Sequence, residues 1–133
     1  MDRKQTYVIQ DVPFLAMVTS VQKSVYDPRS NDDGFRVLVM RYWPRGVRKE
    51  KVDAWFRELG TNKELIKAWK SRKVTWTEFK KRYIADLDDN DKQAIIRELA
   101  KRTKKEKITL LCGCRDPNTC HRIILKEQIE KVQ

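Results

Sequence analysis

The stretch LLCGCRDPNTCHR, Leu110 to Arg122, holds all three cysteines and the only histidine of the chain, with Arg115 and Arg122 among them. Sulfur, imidazole and guanidinium gathered in this way support nucleophilic, redox, metal-binding or anion-binding chemistry. Cys120 stands where a helix is expected to begin. A thiol beside a helix N-terminus and arginines has a lowered pKa, which makes Cys120, and with it Cys114, candidate thiolates. Cys120 is then the candidate nucleophile or redox thiol and His121 the candidate proton carrier. Cys114 and Cys120 are also spaced for a short redox-sensitive bridge, which geometry alone decides. No Cys is followed by five residues and Arg, so the spacing is not that of a phosphatase loop. Cys112 continues an apolar run and is expected as a small core residue. Cys112, Cys114, Cys120 and His121 make four zinc ligands by type. Adjacent Cys120 and His121 rarely aim at one ion, however, and a C-x-x-C pair is absent, so neither a metal nor a cofactor is expected.

The arginines suggest a different use for the same turn. In open α/β sheets, ligands gather beyond the carboxyl ends of the strands. Two expected strands end in chemically loaded sequences, RYWPRG and CGCRDPNTCHR. If these strands are parallel neighbours, Arg41 and Arg45 meet Arg115, Arg122 and the unpaired amides of the last helix in an anion-binding cleft. Arg122 in the first helical turn opposes the macrodipole and must answer a bound anion or a carboxylate. The plain alternative has Asn118 or Thr119 capping the helix, Asp116 paired locally and nothing bound. The acidic tract from Asp86 to Asp91 lacks the Gly and distal Glu of a calcium loop, and Asn90 or Asp91 as a helix cap explains it better.

The elements that must position these groups follow from periodicity. VQKSVY, Val21 to Tyr26, reads as a strand closed by DPRSNDDG. FRVLVMRYW, Phe35 to Trp43, reads as a buried strand with Phe35, Val37, Val39, Arg41 and Trp43 on one face. Val52, Trp55, Phe56 and Leu59 then repeat at helical spacing up to Gly60 as a stop. Thr61 with Glu64, and Thr75 with Glu78, resemble capping boxes for helices through Leu65, Ile66 and Trp69 and through Trp76, Phe79, Tyr83 and Leu87. A further helix runs from about Asp91 through Ile95, Ile96 and Leu99. ITLLC is a short buried strand, and a last helix from about Cys120 carries Ile123, Ile124, Leu125, Ile129 and Val132. This order predicts one α/β domain over residues 1–133, a small and mostly parallel sheet flanked by helices. Residues 1–20 are an extra strand or a loose arm.

The chain has 133 residues, 40% hydrophobic and 37% charged, which suits one core and argues against disorder. Absence of a long apolar run, together with an odd, small set of cysteines, predicts a cytoplasmic protein with no membrane partner. Thirty Lys and Arg against nineteen Asp and Glu give a net charge of +11, a field that attracts anions. The basic residues are dispersed, as on a solvated face.

The pieces DGFRVLVMRYWPRGV, VDAWFRELG, WTEFKKRY and TLLCGCRDPNTCHR together resemble the YeaO-like family, domain of unknown function 488. The likeness runs from about Val21 to Ile129, within an expected family-like core at 21–131. The matching positions of its most specific tract are Arg36, Val37, Leu38, Val39, Arg41, Trp43, Pro44, Arg45 and Gly46. The family's usual aspartate falls on Met40. The CHR triplet resembles another branch of the wider family, so a role common to all members does not rest on the cysteines. The resemblance implies a compact α/β fold and a cytoplasmic protein, and no particular reaction. The resulting expectation is a basic cleft that binds or acts on a phosphorylated metabolite or nucleotide. The rivals are a nucleic-acid-binding module that does not read sequence and a redox-sensitive or zinc-binding structural protein.

Overall fold

The segment ITLLC has no polar face to offer water, and it forms the strand around which the sheet is built. In the computed structural model, which describes residues 20–113 and 119–132, this strand has a parallel partner on each side and all five of its residues are buried. The strands are β1 (Ser20–Ser24), β2 (Phe35–Leu38), β3 (Ala54–Trp55) and β4 (Ile108–Cys112), in the order β1-β4-β2-β3, every pair parallel. Thr109, the polar member of β4, satisfies its buried hydroxyl by donating to the Asp33 carbonyl at 2.6 Å.

Four helices follow the α/β expectation: α1 (Lys63–Lys70), α2 (Trp76–Leu87), α3 (Asn90–Arg102) and α4 (His121–Lys131). All four cover one face of the sheet. There Val37, Val39, Ile108 and Leu110 pack with Leu65, the Phe79–Tyr83–Leu87 stripe, Ile96, Leu99, Ile124, Leu125 and Ile129. The other face is covered by chain without helix: Leu38 and Leu111 pack with Val25 and Val47 under Met40, Trp43 and Val52. Among the described residues no helix is long and apolar enough to cross a membrane.

Several local expectations are corrected. Val52 to Leu59 is not a helix, although its apolar spacing fits one. The Asp53 amide donates to the Arg36 carbonyl at 2.8 Å and the Phe56 amide to the Leu38 carbonyl at 2.9 Å, so the exposed edge of β2 captures the segment as β3. A short 3-10 turn at Arg57–Leu59 follows. Gly60 acts by close approach and not as a helix stop: a Cβ there would lie 2.3 Å from the Arg41 backbone nitrogen.

The second strand also ends sooner than Trp43. Val39 still donates to the Leu111 carbonyl at 3.1 Å, but the chain then folds over the helix-free face, where Trp43 packs opposite to Val37 and Val39. Asn62, and not Thr61, caps α1 by accepting from the Leu65 amide at 2.8 Å. Asp89, and not Asn90 or Asp91, caps α3 by accepting from the Lys92 amide at 3.1 Å. Thr75 caps α2 through the Glu78 amide at 3.1 Å. Ser20 belongs to β1, and the rest of the expected N-terminal arm, with Cys114, Arg115, Asp116 and Asn118, lies outside the described residues.

Candidate functional site

Because every strand pair is parallel, all four strands finish at one edge of the sheet, and the loaded segments meet there. Cys112 is the last residue of β4, Met40 and Arg41 follow β2 at once, and α4 begins with His121. The N-cap of α4 is Cys120 itself, with extended backbone (φ −118°, ψ 144°) and no side-chain capping bond, and not Thr119.

This backbone turns Cys120 and His121 toward one another. His121 Nδ1 lies 3.7 Å from Cys120 Sγ and 3.8 Å from Cys112 Sγ. The ring's other nitrogen, Nε2, lies 2.6 Å from the Val39 carbonyl oxygen. A carbonyl only accepts, so Nε2 carries the hydrogen and, in the neutral ring, the Nδ1 lone pair faces both sulfurs. Tyr83 holds the imidazole edge-on, with ring centroids 5.5 Å apart at 87°. Burial first, and then the charges of Cys120, Cys112 and Asp86, push the Tyr83 hydroxyl well above its ordinary value. It therefore stays a neutral donor to the Leu59 carbonyl.

Arg122 is 2% exposed. Its Nε donates to Cys120 Sγ at 3.2 Å and its Nη1 to the Lys23 carbonyl at the end of β1. A buried cation in the first turn of a helix opposes the macrodipole, and here sulfur and a strand carbonyl are what it answers. The guanidinium is thus engaged inside the protein by these two partners.

In front of the cluster lies a pocket of about 370 Å³. Cys112 and His121 form part of its wall, Ile66, Trp69 and Phe79 supply an apolar side, and Arg41 and Lys70 bring two cations. Trp69 and Phe79 are held by mutual contact at 5.5 Å, and Trp76 stacks on Phe79 at 5.2 Å. The structure therefore brings together Arg41, Cys112 and His121, with Cys120 behind them. It does not bring Arg45 into the pocket. Arg45 is exposed, and its carbonyl accepts from the Tyr26 hydroxyl at 3.3 Å. Lys70 was not singled out by the sequence, since nothing distinguishes it there from the other dispersed lysines. Cys112 was read as core, and it is buried, yet its place at the end of β4 makes it a wall residue.

Residues 21–133 match the family model described as the active DUF488-N3 subclade. The chain belongs to the DUF488 family. The uncharacterized protein YeaO of Escherichia coli (strain K12) is 33% identical over 112 residues, which is 83% of this chain and 96% of that protein. Two mycobacterial proteins, Rv3073c of Mycobacterium tuberculosis (strain H37Rv) and Mb3100c of Mycobacterium bovis, are each 33% identical over 105 residues, 77% of this chain and 86% of theirs. No solved structure matches. Every residue named above in the pocket and the sulfur–imidazole cluster falls inside the DUF488 match, as do all four strands except Ser20.

Proposed function

We propose that this DUF488 protein binds a phosphorylated metabolite or nucleotide in the pocket at the carboxyl ends of β2 and β4. The observation that carries the reading is the juxtaposition of Arg41 and Lys70 with an aromatic wall and a Cys–His floor in one cavity. Arg41, half-buried, holds an anion more firmly than a dispersed surface lysine because the surrounding protein screens it less than water does, and the exposed Lys70 adds a second positive charge at the rim. Trp69 and Phe79 offer a flat apolar surface of the kind a nucleobase covers. A volume of about 370 Å³ lies at the small end of the range for ligand pockets, so the molecule is a mononucleotide or smaller. The description of the matching subclade as active favours a reaction in addition to binding. In that reaction, with no metal on these three residues, Cys120 or Cys112 and His121 would supply nucleophile and proton transfer, with Cys112 the sulfur that faces the ligand.

A second reading, a nucleic-acid surface, is favoured by a shallow hollow formed by the β2–β3 connection and Trp55 of β3. It is lined by Trp43, Val47, Arg48, Lys49, Glu50 and Trp55, with the Arg57 guanidinium 5.4 Å from the Trp55 ring centre. Such a surface stacks bases and neutralises phosphates without reading sequence.

Thermal unfolding with a panel of mononucleotides, sugar phosphates and short oligonucleotides separates the two. At about a hundred times Kd a bound ligand stabilises by roughly 2.7 kcal/mol, several degrees in Tm. The pocket reading expects this from a small phosphorylated molecule, and expects the Arg41→Ala/Lys70→Ala double variant to fold normally and lose the protection. Protection that persists in the double variant rejects the pocket. Protection by oligonucleotides alone, falling steeply with salt, selects the surface.

A further inference from the structure

We infer that Cys112, Cys120 and His121 form a binding site for a soft divalent metal ion, zinc above all, beside the pocket wall. The three donor atoms, Cys112 Sγ, Cys120 Sγ and His121 Nδ1, all lie within 4.8 Å of one another, and all three residues are buried. A tetrahedral zinc ion with bonds of about 2.3 Å to sulfur and about 2.0–2.1 Å to imidazole nitrogen sets sulfur and nitrogen roughly 3.6 Å apart. The observed separations are 3.8 and 3.7 Å. These two separations are close to that value, while the two sulfurs, within 4.8 Å of each other, would close to about 3.8 Å by small side-chain rotations as the ion binds.

Two further features point the same way. His121 has the support that a metal-bound imidazole needs, its other nitrogen held by the Val39 carbonyl at 2.6 Å and its plane fixed by Tyr83. Arg122, 2% exposed, donates to Cys120 Sγ at 3.2 Å, a hydrogen bond suited to a sulfur that stays a thiolate. The objection that neighbouring Cys120 and His121 cannot reach one ion is met by the extended N-cap backbone of Cys120, which folds both donors to the same side.

Cys112 and His121 also line the pocket, so an anionic group bound there would lie beside the ion. The ligand set shares no residue with Arg41 and Lys70. The inference rests on the proposed function only for what binds beside the ion.

The test uses the full chain purified under reducing conditions and supplied with zinc or cobalt(II). Elemental analysis should give about one zinc per chain after desalting. Cobalt should produce thiolate charge-transfer absorption in the near ultraviolet and the intense visible bands of a four-coordinate ion. Cys112→Ser, Cys120→Ser and His121→Ala should each lower metal affinity by more than roughly tenfold, with circular dichroism reporting whether each variant is folded. Competition against a chromophoric chelator measures the wild-type affinity directly and needs no variant. The Arg41→Ala/Lys70→Ala double variant should keep its metal whether or not it loses phosphate-ligand protection, so the two readings fail separately. Wild-type protein that retains less than roughly a tenth of an equivalent of zinc and gives no cobalt–thiolate band overturns the inference.

Discussion

Asp33 shows how much of this fold depends on single side chains away from the pocket. Burial pushes its carboxyl up, yet bonds from the Ser30 amide, Lys23 and Arg36 together hold it below its ordinary value. Its partner Arg36 is fully buried and also donates to the Lys51 carbonyl at 2.7 Å, tying β2 to the chain that leads into β3. A depressed folded pKa contributes stability that is complete above the unfolded value of about 3.9 and is lost as pH falls through the folded value. Asp53, also lowered by its partners Arg29 and Arg36 despite burial, adds in the same direction. The urea midpoint should therefore hold steady from neutrality to about pH 5 and fall below about pH 4. Asp33→Asn should cost roughly 3 kcal/mol at pH 7, since it strands a buried guanidinium, and should flatten the acid limb. An unchanged acid limb in Asp33→Asn would show that other carboxylates govern it. Arg36 stood in the sequence only as part of a motif. Its burial was not legible because the acid that compensates it precedes it by three residues, in a turn that reads as ordinary loop.

At the scale of elements, the apolar pattern was sufficient where one period ruled. The strand ITLLC, the stripe of Trp76, Phe79, Tyr83 and Leu87, and the final helix all lie where their periodicity puts them. It misled at Val52 to Leu59, whose apolar spacing fits a helix but whose amides are taken by the edge of β2. Pairing with a distant strand has no signature within an eight-residue window, which is why β3 was not legible. The same segment supplies Gly60, which lets the backbone after β3 press against Met40 and Arg41. Gly60→Ala should destabilise the fold by about 1–3 kcal/mol and displace Arg41, weakening phosphate-ligand protection along with stability. Full protection in a destabilised Gly60→Ala protein would mean that the position of Arg41 is not set by this contact.

For the molecule as a whole, the parallel sheet is what turns a scattered set of residues into a site. It collects the ends of β2 and β4 and the start of α4 at one edge, which the sequence allowed to be expected from two loaded strand ends. It could not show that α4 enters with Cys120 as its cap, because that angle depends on packing against the whole helical layer. Nor could it show that Arg122 would turn inward while Lys70, from the end of α1, would take a place beside Arg41. The net charge of +11 attracts anions in general, and on the proposed reading the pocket would select among them by size and by its aromatic wall. The single histidine of the chain makes this selection directly observable, since His121 belongs to that wall and its ring signals in a proton–nitrogen or proton–carbon spectrum need no assignment. Titrating the wild-type protein with a phosphorylated ligand that raises its Tm should move those signals saturably, with the same Kd as the thermal protection. A ligand that stabilises the protein while the His121 signals stay in place would contradict a pocket bounded by Arg41, Lys70 and the sulfur–imidazole cluster.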